Sequence, residues 1–87
     1  MDYVALFHKD DDSDFGVSFP DFPGCVTTGR TLDEAKDMAA EALALHIKGM
    51  LEDGDDLPHP SSLESITRSK DLNDNGVAFL ITPKTYR

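Results

Sequence analysis

Phe15-Gly16-Val17-Ser18-Phe19-Pro20-Asp21-Phe22-Pro23-Gly24-Cys25-Val26-Thr27-Thr28-Gly29-Arg30-Thr31-Leu32-Asp33-Glu34-Ala35 reads as a strand, a reversal, a second strand and the start of a helix. Phe15, Val17 and Phe19 alternate with Gly16 and Ser18, the period-two pattern of a strand with one buried face. Pro23-Gly24 suits the central positions of a type II turn: proline presets φ, and glycine accepts the positive φ that follows. Thr31 with Glu34 is a capping box, in which the threonine oxygen accepts from the Glu34 amide and the glutamate reaches back. A helix is therefore predicted to begin at Leu32.

Downstream, Leu32, Ala35, Met38, Ala39, Ala42, Leu43, Leu45, Ile47 and Met50 fall mainly on one side of a helical wheel reaching about Glu52, an apolar stripe made to pack on a sheet. Asp33, Glu34, Asp37, Glu41, Lys48 and Glu52 fall on the other side, so the outer face is acidic. Gly54 suits the position just past the helix end. His46 projects from the stripe and reads as a core or interface histidine, because no nucleophile or carboxylate stands at a spacing that marks a catalytic base.

Upstream, Tyr3, Ala5 and Phe7 alternate with Val4, Leu6 and His8, which predicts a central strand buried on much of both faces. Lys9 to Asp14 then forms a polar hairpin turn. Its aspartates, Asp10, Asp11, Asp12 and Asp14, fail the register of a calcium loop: counting from Asp10 puts Phe15 where the loop needs glycine and Asp21 where it needs glutamate. The turn reads as solvated, with a partner contact as the alternative.

Beyond the main helix, Asp53 to Pro60 is a rigid polar connection. Ser61 with Glu64 predicts a second capping box and a short helix from Ser62 to about Arg68. Asn75-Gly76 leads into Val77-Ala78-Phe79-Leu80-Ile81-Thr82, a last strand apolar on both faces and expected to be covered by core or by another subunit. The prediction is an α+β domain, β-β-β-α-α-β, with a small antiparallel sheet and one main helix on a face.

With 87 residues the chain forms one domain with a limited core. One cysteine, Cys25, excludes an internal disulfide, and no Cys/His spacing signals zinc. No apolar run approaches the roughly 20 residues of a membrane span, and a cytoplasmic protein is expected. Seventeen acids against eight bases give a formal charge of -9, the wrong sign for neutralising phosphates and the right one for a basic protein partner.

This combination resembles the HicB family of antitoxins from prokaryotic toxin–antitoxin pairs. The carrying residues are Gly16 to Cys25, Thr28-Gly29, Thr31-Leu32, Asp33-Glu34-Ala35, Ala40-Glu41-Ala42, Leu57-Pro58 and Pro60-Ser61, and the resemblance runs from Tyr3 to about Ile81. It implies a partial RNase H-like domain that binds and masks HicA, a small basic toxin with a double-stranded-RNA-binding-like fold that cleaves messenger RNA with a histidine. Members usually continue into a ribbon-helix-helix or helix-turn-helix domain that binds operator DNA. Here residues 1–82 are expected to form the toxin-binding domain and 83–87 a linker or the start of such a second domain, so DNA binding is not carried over to this chain.

Two other functions are compatible with a small acidic α+β domain. A metal-dependent RNase H-like nuclease needs carboxylates converging from strands and a helix on two metal ions; the strand from Tyr3 to Phe7 and the strand from Val77 to Thr82 carry none. A non-catalytic structural subunit of another assembly is the remaining alternative. The antitoxin reading assigns toxin contact to Glu34, Asp37 and Glu41 on the helix and to Asp10, Asp11, Asp12 and Asp14 on the turn. It expects no catalytic residue, metal or cofactor, and a homodimer or larger assembly.

Overall fold

The computed structural model describes residues 1–9, 14–68 and 76–84. Six elements follow one another: β1 (Tyr3–Lys9), β2 (Phe15–Ser18), β3 (Val26–Gly29), α1 (Leu32–Glu52), α2 (Leu63–Arg68) and β4 (Val77–Ile81). The four strands form one antiparallel sheet in the order β3-β2-β1-β4. The expected element order and central β1 are both present. Tyr3 through Phe7 are all buried because β1 has a strand on each side and a helix over each face.

The register sorts side chains between the faces. Tyr3, Ala5 and Phe7 share one face with Val17, Phe79 and Ile81, and that face packs on Ala35, Ala39 and Leu43 of α1. Val4, Leu6 and Ala78 point the other way and are covered by Ile66 of α2. The predicted helical stripe is displaced in two places. Leu45 is 55% exposed while Ala44 is buried, since Leu45 stands about 200° round the helix from Leu43 at 100° per residue.

Two successive turns join β2 to β3. The Phe22 amide donates to the Phe19 carbonyl and the Cys25 amide to the Phe22 carbonyl, each at 3.0 Å, so Pro20 and Pro23 both occupy the second turn position. Gly24 follows Pro23 with φ of +90°, the predicted type II geometry. An added Cβ at Gly24 would meet nothing within 4 Å, so Gly24→Val isolates backbone strain. It is expected to destabilise by about 1–2 kcal/mol, read as a lowered urea midpoint; an unchanged midpoint would refute the role given to this glycine.

The helix ends also follow local chemistry. The Thr31 hydroxyl oxygen accepts from the Glu34 amide at 3.1 Å, forming the threonine half of the capping box. At the other end Gly54 adopts φ of +78°. Its amide donates to Leu51 and the Asp55 amide to Met50, the paired bonds of a Schellman ending.

The second predicted cap is off by one residue. Ser62, not Ser61, caps α2, accepting from the Ser65 amide at 3.0 Å. Ser61 is taken by Asp21, whose carboxylate accepts from the Ser61 amide at 2.8 Å and from its hydroxyl at 2.6 Å. Tyr3 makes a parallel tie, donating to the Pro58 carbonyl at 2.7 Å. Burial, and secondarily the Asp21 charge, push the Tyr3 phenol above its ordinary pKa. These two ties hold the proline-rich turns against the connection between the helices.

The last strand is only partly covered by the core of this chain. Ile81 is buried, but Val77 is 58% and Leu80 52% exposed. β4 lies at the sheet's edge, and α1 and α2 cover only part of its two faces.

Candidate functional site

Charge concentrates on the outer face of α1. Asp33 and Glu34 occupy its first turn, where the unpaired amides of a helix start favour carboxylates. Asp37 and Glu41 follow one and two turns later, at i+4 spacing on the same side. All of these side chains are wholly or partly exposed. They are held on a rigid element, because the opposite side of the helix is locked by Ala35, Ala39 and Leu43 in the core.

The chain after β4 returns to this face. The Lys84 amide donates to the Ala40 carbonyl at 3.2 Å. Its Nζ lies 2.8 Å from Asp37 Oδ1 and 3.9 Å from Glu41 Oε2. Two of the predicted contact residues thus already engage an intramolecular lysine. With the Asp37 side chain 62% and the Lys84 side chain 38% exposed, the pairing is worth little in water, on the order of 0–1 kcal/mol, and is exchangeable.

The sheet register brings part of the acidic turn to the start of this helix. Phe15, directly after Asp14, pairs with Gly29, and Gly29 packs against Ala35. The exposed Asp14 therefore lies at the same end of the molecule as Asp33 and Glu34. Asp10, Asp11 and Asp12 lie outside the described residues. Among the predicted residues, then, Glu34, Asp37 and Glu41 share one face, with Asp14 beside its beginning.

A second surface was not singled out from the sequence. Among the described residues, the face of the sheet opposite α1 is covered by α2 only over β1 and β4. On its open half, His8, Gly16 and Thr28 form one cross-strand row, with Ser18 and Val26 beside them. A shallow depression of about 550 Å³ runs over these residues, and Val26 is 67% exposed. The alternation of Val26 and Thr28 with Thr27 was the available signal; whether that face would be covered depended on where α2 landed.

Among the described residues no group of three or more His, Cys, Asp or Glu side chains could hold a metal ion. His46, partly buried, packs edge-on against Phe22, ring centroids 5.5 Å apart. Burial raises the pKa of the Cys25 thiol above its ordinary value. What the geometry offers is a rigid acidic ridge suited to charge recognition. No helix among the described residues is long and apolar enough to cross a membrane.

Comparison with known proteins agrees with this architecture. A protein of Haemophilus phage HP1, described as an uncharacterized 14.9 kDa protein, is 39% identical over 82 residues, covering 94% of this chain and 58% of the phage protein. Antitoxin HicB 1 of Photorhabdus laumondii is 35% identical over 60 residues, 69% of this chain and 39% of that antitoxin. The chain thus spans less than two thirds of the length of either relative.

Among solved structures, the Burkholderia pseudomallei antitoxin HicB superposes with a TM-score of 0.85 at 29% identity, over 100% of this chain and 71% of that one. A chain of a HicA3 and HicB3 toxin–antitoxin complex superposes with a TM-score of 0.81 at 26% identity, over 98% of this chain and 100% of that one. Residues 3–85 match the family described as the HicB-like antitoxin of bacterial toxin–antitoxin systems. With sequence, fold and helix-capped sheet in agreement over nearly its whole length, this chain belongs to the HicB-like antitoxin family.

Proposed function

We propose that this chain is a non-catalytic antitoxin of the cytoplasm that binds and masks a small, basic, RNA-cleaving toxin of the HicA type. The observation that carries this reading is the near full-length likeness to a chain found in a HicA3–HicB3 complex. The acidic ridge supports it physically, since carboxylates on a rigid helix can meet lysines and arginines in fixed geometry. Glu34, Asp37 and Glu41 supply contact, with a toxin cation displacing Lys84 from Asp37 and Glu41. Asp10, Asp11, Asp12 and Asp14 accelerate encounter through the field of the chain's excess negative charge. The antitoxin works as a homodimer or larger assembly.

The test is binding kinetics against a purified HicA-type toxin at two ionic strengths, beside an RNA-cleavage assay. Asp37→Ala with Glu41→Ala is expected to weaken binding about tenfold, equivalent to about 1.4 kcal/mol, chiefly through faster dissociation. Exchanging the turn aspartates for asparagine should slow association at low salt and leave dissociation unchanged. If the helix double variant retains full affinity and full inhibition, the ridge is not the contact surface.

A further inference from the structure

We infer that Lys84 is an intramolecular competitor for the acidic ridge: it occupies Asp37 and Glu41 in the unbound chain and lowers the affinity of a basic partner, which must displace it to dock. This regulates the site named in the proposed function and rests on that reading. The fold itself builds the position of the ammonium. β4 ends at Ile81, which pairs with Tyr3 of β1. The Thr82 hydroxyl then donates to Asp2 Oδ1 at 2.7 Å, and the φ of Pro83 is locked by its ring. The Lys84 amide fastens this strap to the Ala40 carbonyl at 3.2 Å, a helix oxygen with a second lone pair to offer.

Ala40 lies within the helical turn that joins Asp37 to Glu41, so the backbone is anchored where the ammonium acts. Nζ then stands 2.8 Å from Asp37 Oδ1 and 3.9 Å from Glu41 Oε2. Because the strap is held by its own bonds, the lysine side chain can exchange between the ridge and water without opening the fold. A cation attached to the chain keeps a constant effective concentration, however dilute the protein. It returns to the carboxylates whenever a partner leaves them.

An exposed ion pair is closed between about half and about five-sixths of the time over the usual range of its strength. The apparent dissociation constant rises as the competent fraction falls, so the lysine weakens a basic partner about two- to sixfold. It also selects among partners. One that brings a lone cation to the middle of the ridge only exchanges it for Lys84, whereas one that brings several also meets Asp33 and Glu34 in the first turn of α1. A like charge that rejects weak occupants therefore favours a protein surface with clustered lysines or arginines. Linkage makes the effect reciprocal: binding of such a partner must release the Lys84 ammonium from Asp37.

Three variants of the whole chain test this, their folding verified by thermal melting. They are Lys84→Gln; Arg68→Gln, which removes the same charge from an exposed residue of α2 paired with Glu64; and Lys84→Gln added to Asp37→Asn with Glu41→Gln. Against a purified HicA-type toxin at low salt, Lys84→Gln is expected to bind about two- to sixfold more tightly than Arg68→Gln. That advantage should vanish once Asp37 and Glu41 are neutralised. A Lys84→Gln variant no tighter than Arg68→Gln overturns the competitor, and so does an advantage retained without the two carboxylates. The NMR resonance of the Lys84 side-chain nitrogen gives an arm free of toxin: it should shift when Asp37 and Glu41 are neutralised, and a resonance that stays in place overturns the inference while leaving toxin binding intact. A chain whose Lys84 resonance responds but which binds no toxin overturns the proposed function, and with it the role given to the lysine.

Discussion

Gly29→Ala is expected to destabilise the domain by about 3 kcal/mol, the upper end of ordinary overpacking. An added Cβ would stand 2.5 Å from both the Cα and the amide nitrogen of Ala35, so the obstacle is backbone, not a side chain that can swing aside. Ala35 is fully buried, and its amide donates to the Thr31 carbonyl at 2.8 Å in the first turn of α1. Relief requires the helix to lift from β3 or its first turn to open. A domain of this size has a total stability on the order of 5–10 kcal/mol, so a large part would be lost. Chemical denaturation monitored by circular dichroism measures the effect. Gly49→Ala supplies the contrast: beyond its chain neighbours and the adjoining helix backbone, nothing lies within 4 Å of its added Cβ, and alanine in a helix interior should stabilise by about 0.5–1 kcal/mol. A Gly29→Ala loss below about 1 kcal/mol would show that β3 and α1 separate without strain, contrary to the close approach argued here.

Phe22→Ala is expected to cost about 3–5 kcal/mol. The Phe22 ring is 1% exposed. It meets Tyr3 of the central strand at 4.6 Å and His46 of α1 at 5.5 Å between centroids, so truncation opens a cavity where sheet, helix and turns meet. The turns cannot collapse into it, because Asp21 is tied to Ser61 and each turn is closed by its own backbone bond. Urea unfolding should show a lower midpoint with unchanged slope. A loss below about 1 kcal/mol would mean that the site relaxes freely, contrary to the rigidity argued for these turns.

The motif residues are thereby divided by role. Asp21, Phe22, Gly24 and Gly29 build the frame, whereas Glu34, Asp37 and Glu41 stand on it. This is why a resemblance carried largely by the Gly16–Cys25 run identifies the family more readily than the contact surface.

Local chemistry was legible from the chain itself. Pro23-Gly24, Thr31 with Glu34, and Gly54 each act through neighbours within a few residues, so the turn and both ends of α1 followed from the amino-acid order. Alternation placed β1 at the centre, since a strand apolar on both sides must be covered on both. Other outcomes depended on partners distant in the chain. Ser61 lost its capping role to Asp21, 40 residues away, because a carboxylate offered two hydrogen bonds where a cap offers one. The same apolar pattern that made β1 central left β4 at an edge, for periodicity records which faces want cover and not which strand stands beside them. Lys84 reached Asp37 and Glu41 only because β4 pairs with β1 and delivers the following residues to α1. Which acids form a ridge, which lysine occupies it and which apolar edge stays open were settled by tertiary packing, the step at which contacts distant in the chain replace local preference.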